Sequence, residues 1–244
     1  LGGAVPYYYP LVAEHDFLPY VKDIPEDVAK KARYMVVSLP ANPVGSIATP
    51  GLYEEIIAFA KKYNPDFHVC YNKGHVGYLD KPVIKDYSYF SFESLPGVEW
   101  GYLDFPVSAK YMRNFGKECL GLTSRFHTEW GDFHAFRNEA AMEYEVFSML
   151  SHGCKCTIGD QMDYWGKLNK DMYQQIGRVY KSVEEKEPWC ENAKPVSEIG
   201  VFTAEEFYAT GVAGQIPGAS EGVARLLMEY GYQFDFIDST SDFG

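Results

Sequence analysis

The chain of 244 residues carries 22 Lys and Arg against 34 Asp and Glu, and its net charge of −12 argues against a phosphate-binding surface for nucleic acid. An apolar content of 46% is enough for the core of one large or two small domains, while no apolar run is long enough to span a membrane. The charge is uneven: residues 1–64 hold six basic and seven acidic side chains, residues 65–244 sixteen and twenty-seven.

Five cysteines make an odd count with no paired framework, which points to a reducing, cytoplasmic setting. The first ten residues have no basic residue ahead of an apolar stretch and do not read as a signal peptide. The aromatic content of 16% suits stacking against sugar faces and suits an ordinary core equally well.

Residues 1–64 read as a small α/β piece. Met35-Val36-Val37 form an apolar run that ends near Pro40, and Ala41-Asn42-Pro43-Val44-Gly45 reads as a turn. Thr49-Pro50 then predicts a helix start, Thr as cap and Pro in the first turn, with Ile56, Ile57, Phe59 and Ala60 on its apolar face.

From Pro65 the pattern alternates strand and helix. Strands are expected at 67–71 (FHVCY), 87–93 (YSYFSFE), 119–123 and 154–159, with helices at 107–117, after Asn138, and at 169–187. Asn138 is read as a cap, Gly153 as a stop, and Pro188 as the end of the last of these helices. This alternation predicts a parallel sheet with helices outside it. Cys154 and Cys156 would share one strand face as buried thiols, since a single intervening residue is too few for the usual zinc pair. Past Trp189 the rhythm restarts with strand 199–203, a Gly-rich loop at 211–222, helix 223–230 and strand 234–238, the expected opening of a flavodoxin-like domain.

Two resemblances follow from particular motifs. TyrTyrTyrPro at 7–10, SLPANPVG at 38–45 and TPGLYEEIIAFAKKYN at 49–64 resemble class I/II pyridoxal-phosphate aminotransferases of the LL-diaminopimelate type. The resemblance implies that Asn42 hydrogen-bonds the ring oxygen of the cofactor. The partner Asp and Tyr, the Ser-x-x-Lys with its Schiff-base lysine and the carboxylate-binding Arg do not follow.

FESLPGVEWGYLDFPVSAKYMRNFGK (92–117), LTSRFHTEWGDF (122–133), IGDQM (158–162) and YKSVEEKEPW (180–189) resemble alpha-L-fucosidase-like glycosyl hydrolases. That resemblance implies a (β/α)8 barrel followed by a beta-galactosidase-type trimerisation domain. The chain would then comprise an aminotransferase-like fragment at 1–64, about the last four barrel strands at 65–190, and the start of the trimerisation-type α/β domain at 191–244.

Glycosidic cleavage needs two carboxylates flanking the bond, about 5–9 Å apart. Glu93, Asp132 and Asp160 fall at or just beyond expected strand C-termini, where a barrel gathers its reactive groups, and are the candidate catalytic set. An acid among them would need a pKa raised by apolar neighbours such as Trp100, Trp130 and Phe133. Arg125 and His127 are candidates for hydrogen bonds to sugar hydroxyls, Trp100 and Trp130 for a stacking wall. Each has a plainer reading: a cap or loop salt bridge for Glu93 and Asp160, an Asx turn for Asp132, a structural histidine for His127. Glu129 and His134 read as loop surface, Trp165 and Trp189 as packing residues, and Asn42 without its partners as a turn residue.

The composite expectation is an alpha-L-fucosidase-like glycoside hydrolase acting on an oligosaccharide or glycoside, incomplete as given because the earlier barrel strands are absent. It needs no cofactor and no metal, contacts neither nucleic acid nor membrane, and forms a homo-oligomer. The alternatives are a pyridoxal-phosphate aminotransferase and a non-catalytic fusion.

Overall fold

The computed structural model describes residues 5–41, 44–97, 100–208 and 214–242. It divides into two compact units, Leu1–Val69 and Cys70–Gly244.

The first unit is helical among its described residues. It contains α1 (Glu26–Lys31) and α2 (Leu52–Tyr63), with short 3-10 turns at Ala13–His15 and Val21–Asp23, around a small core of Leu18, Val21, Leu52 and Ile56. The strand component expected from Met35-Val36-Val37 is absent, because an apolar run with no neighbouring strand has no ladder to join. Helix α2 also starts later than expected. Gly51, at φ 83°, occupies the N-cap, and Thr49 and Pro50 form the preceding turn, closed by Leu52 N–H donating to Thr49 O at 3.1 Å. Asn42 lies outside the described residues.

The second unit is α/β with parallel sheets. Strands β1 (Phe90–Ser94), β2 (Cys119–Ser124) and β3 (Lys155–Gly159) pair in that order, all parallel, with Glu93 opposite Leu122 and Ser124 opposite Gly159. The strand expected at 67–71 does not form. Pairing to β1 comes later, as one bridge from Lys73 to Phe92, before the chain turns into the 3-10 segment Tyr78–Asp86.

Helices α3 (Asp104–Met112), α4 (Glu139–Ser151) and α5 (Lys170–Glu184) follow the three strands. Alternation decides the faces. Phe90 and Phe92 on β1 and Cys119 on β2 are buried in a core shared with Phe105 and Met112 of α3 and Met149 of α4. Gly121 permits the close approach: a Cβ there would stand 2.5 Å from Met149 Cγ and 2.8 Å from Phe105 Cε2. The other face of β1 and β2 presents Ser91, Glu93, Leu120 and Leu122, all partly exposed.

Asn138 caps α4 by accepting from Ala141 N–H at 2.8 Å, and Asn169 caps α5 by accepting from Met172 N–H at 3.0 Å. Met172, Ile176, Val179 and Val183 of α5 pack on Met142 and Val146 of α4. Asn138→Ala is expected to lower stability by about 1 kcal/mol in urea unfolding, the usual value of a lost cap. Helix α5 ends at Glu184, short of the expected Glu187. Pro188 opens a separate turn, α6 (Glu187–Cys190), because a proline is tolerated in the first turn of a helix. Trp189 on that turn is 84% exposed and is no packing residue.

Beyond its pairing to β2, the third strand meets α5. Ile158 N–H donates to Tyr180 Oη at 3.0 Å, and burial raises the pKa of that phenol.

Strands β4 (Ile199–Phe202) and β5 (Phe234–Ile237) form a two-stranded parallel sheet, with helix α7 (Gly218–Glu229) between them in sequence. Residues 191–242 share the unit of the first sheet, because α3 is buried along its whole length and serves both. Lys110 Nζ donates to Phe234 O at 3.0 Å, Asn114 Nδ2 to Phe236 O at 2.9 Å, and Arg113 pairs with Asp235 at 2.6 Å. Burial and the neighbouring Arg113 lower the Lys110 ammonium to about 8. Among the described residues all five cysteines are free, and no helix is long and apolar enough to cross a membrane.

Candidate functional site

The C-terminal ends of β1, β2 and β3 lie side by side because the strands are parallel and in register, so their following loops meet on one rim. Glu93 sits one residue before the end of β1, and its Oε2 accepts from Trp130 Nε1 at 3.1 Å. The indole lies across the sheet end: a Cβ on Gly159 would stand 2.4 Å from Trp130 Cη2 and 3.3 Å from Leu122 Cδ1. Gly159 therefore makes the room in which Trp130 reaches Glu93. Gly159→Ala is expected to displace the ring, costing about 1–3 kcal/mol by overpacking and shifting the tryptophan emission.

Arg125 and Asp160 continue β2 and β3. Arg125 Nε donates to Asp160 Oδ1 at 2.7 Å, with the side chains only 4% and 6% exposed. Asp160 Oδ1 also accepts from Gln161 N–H at 2.8 Å. The guanidinium carbon lies 4.0 Å from the Phe126 ring centre, with Phe133 and Phe136 at 5.7 and 5.8 Å. Arg125 Nη1 and Asp160 Oδ2 are buried and have no protein hydrogen-bond partner among the described residues. Tyr173 of α5 stands close enough that burial, and then the Asp160 carboxylate, raise its phenol.

The remaining expected site residues are placed differently. Asp132 lies in the loop after β2, where its Oδ2 accepts from Thr128 Oγ1 at 2.8 Å and its N–H donates to Glu129 O at 3.3 Å, a local turn. His127 is exposed, with its carbonyl against Gly97 in the loop after β1. Trp100 packs on Gly214 and lines a cleft of about 420 Å³ with Tyr102, Arg225 and Met228, a setting formed with α7. Trp130 is thus the tryptophan that stands beside a candidate carboxylate. Among the described residues no group of three or more His, Cys, Asp and Glu side chains is arranged to hold a metal ion.

A second polar cluster escapes sequence reading. His75 Nδ1 lies 3.1 Å from Ser108 Oγ, and His75 Nε2 lies 2.8 Å from Glu205 Oε1 in an ionic contact with poor hydrogen-bond alignment. Glu205 Oε2 accepts from Tyr78 N–H at 2.9 Å. The order Ser–His–Glu resembles a nucleophilic relay. All three side chains are sealed from solvent, however, so no substrate carbonyl reaches Ser108. The cluster instead ties α3 and the segment before β1 to the turn after β4. Burial raises nearby Asp104 to about 6. Residues so far apart in sequence share no spacing that would reveal them.

Comparison with known proteins places these features. Residues 1–72 match the family model "Aminotransferase class I and II". An LL-diaminopimelate aminotransferase of Syntrophobacter fumaroxidans is 38% identical over 96 residues, 39% of this chain and 23% of that one. Its counterpart in Halothermothrix orenii is 48% identical over 64 residues, 26% of this chain and 16% of that one. Among solved structures, alpha-L-fucosidase isoenzyme 2 from Paenibacillus thiaminolyticus superposes with a TM-score of 0.72 at 34% identity, covering 79% of this chain and 29% of that one.

The chain joins two likenesses. The aminotransferase resemblance of residues 1–64 and the alpha-L-fucosidase resemblance of residues 65–244 are both supported. The chain spans about a quarter or less of the length of these two curated aminotransferases, and 29% of the fucosidase.

Proposed function

We propose that the second unit is the C-terminal part of a glycoside hydrolase of alpha-L-fucosidase type. In this reading β1 to β3 and the segment at Lys73 are about the last four strands of a (β/α)8 barrel. Residues 191–244 open a flavodoxin-like, trimerisation-type domain, and the chain works as a cytoplasmic homo-oligomer. The observation that carries the reading is the carboxylate of Glu93 at the C-terminal end of a parallel strand, held by the Trp130 indole, in a chain 34% identical to a fucosidase of matching fold.

The residues divide the work by their environments. Glu93 is partly exposed on the face turned away from the helices, where a carboxyl can exchange a proton with a glycosidic oxygen or attack an anomeric carbon. Trp130 fixes the orientation of Glu93 and offers a flat ring to a pyranose. Asp160, paired with Arg125, acts through the position of the rim; Asp132 holds the loop that carries Trp130. Release of nitrophenol from 4-nitrophenyl α-L-fucoside tests the proposal. Glu93→Gln is expected to lower kcat/KM on the order of a hundredfold, and equal turnover by the variant overturns the assignment of Glu93.

The match of residues 1–72 favours a second reading, a pyridoxal-phosphate aminotransferase. The first unit does not fit a covalently held cofactor. A Schiff-base lysine is desolvated, whereas Lys22, Lys30 and Lys31 are 69%, 63% and 81% exposed and face Glu55, Glu26 and Asp27; Lys61 and Lys62 are exposed as well. Borohydride treatment with pyridoxal phosphate, followed by peptide mass analysis, supports this reading if one lysine is labelled stoichiometrically, and removes it if none is.

A further inference from the structure

Trp165, expected from the sequence to pack, is 60% exposed, and its neighbour Tyr164 is 85% exposed. They occupy the corner of a tight turn built for display. Asp163 O accepts from Gly166 N–H at 2.7 Å, Asp163 Oδ1 accepts from Tyr164 N–H at 2.7 Å, and Gly166 takes φ 69°. The two rings lie with centroids 3.8 Å apart. Met162 and Leu168, 49% and 38% exposed, flank them. Folding gains little from aromatic rings held in water, and a contiguous exposed apolar patch marks a binding surface.

The position of the patch selects the ligand. The turn belongs to the loop that leaves β3 at Asp160, on the rim that holds Glu93 and Trp130. Its second residue, Gln161, has Oε1 3.5 Å from the Cβ position of Gly131, beside Trp130. The rim therefore carries an indole at Glu93 and an aromatic pair further along one loop. Two exposed rings held close together suit the apolar face of a neutral sugar ring.

We propose that Tyr164 and Trp165 form an outer saccharide platform, stacking the pyranose that follows the residue bound at Glu93 and so selecting oligosaccharides over monosaccharides. This rests on the glycoside-hydrolase reading for its position on the rim, though the platform itself is defined by its exposed rings.

The test uses the full chain with L-fucose and with a fucosyl-α-1,2-galactose disaccharide, followed by calorimetry and ligand-observed NMR. Tyr164→Ala and Trp165→Ala lie on an exposed turn, and thermal unfolding checks that both fold. The native chain is expected to bind the disaccharide more tightly than fucose. Each alanine variant is expected to weaken disaccharide binding about tenfold, roughly 1.4 kcal/mol, leaving fucose binding unchanged, and Trp165→Phe to restore most of the loss.

Unchanged disaccharide affinity in both alanine variants overturns the platform, as does a native chain that binds neither sugar. Concentration-dependent association lost in Trp165→Ala, without any effect on sugar, also overturns it and assigns the patch to protein contact. Sugar binding that depends on Trp165 in a chain without turnover keeps the platform and removes the hydrolase reading. Turnover sensitive to Glu93→Gln but indifferent to Tyr164 and Trp165 does the reverse.

Discussion

Arg125→Met is expected to destabilise the second unit by about 3–5 kcal/mol, measured as a lower urea midpoint with an unchanged slope. The Asp160 carboxylate is 6% exposed and takes its counter-charge from Arg125 Nε at 2.7 Å. Removing the guanidinium leaves a buried anion with no counter-charge, held by the Gln161 N–H on Oδ1 and faced by the neutral Tyr173 phenol. Three phenylalanine rings would also lose the cation they surround. Arg125→Met combined with Asp160→Leu is expected to recover a large part of the loss, since the penalty lies in the orphaned charge more than in the missing attraction. A single variant as stable as the native chain contradicts the pairing.

His75→Leu is expected to cost about 3 kcal/mol, by leaving Glu205 buried beside nothing but the Tyr78 N–H and Lys73 at longer range. It also removes a pH dependence. Burial opposes a charge on His75, but the contact with Glu205 and the charges of Glu205, Asp104 and Asp80 outweigh it and raise its pKa above 6.5. The folded state therefore holds that proton more tightly than the unfolded one. The resulting stability is complete below pH 6.5 and is lost as pH rises through the folded value. Glu205 runs the other way: burial works against its charge, but the contact with His75 wins and lowers the carboxyl below 4.5, so its contribution is lost as pH falls. Unfolding free energy is expected to decline above pH 6.5 in the native chain and to lose that decline in His75→Leu. Parallel profiles refute the coupling.

The α/β alternation was legible wherever a local signal existed. Asn138 caps its helix at the position its side chain suggests, and the apolar run at Cys119 is the central strand β2. Failures came where a second element decides. Met35-Val36-Val37 has strand propensity but no partner strand, and the stretch at 67–71 yields its pairing to Lys73. At the rim, sequence placed Glu93 and Asp160 at strand ends but could not show their partners, because Trp130 and Arg125 reach them from the loop after a different strand. Trp165 stands exposed where its hydrophobicity suggests packing, because hydrophobicity alone does not say whether a turn will lift a ring into water.

The phenol of Tyr180 on the Ile158 amide bears on how this protein keeps company with its own kind. A free strand border is an invitation to any passing chain, and here a helix residue has already taken one of the donors that a newcomer would use. Substitution of that tyrosine by phenylalanine would keep the packing and reopen the vacancy, so filament seeding, more than fold or turnover, is where the missing hydroxyl would be felt.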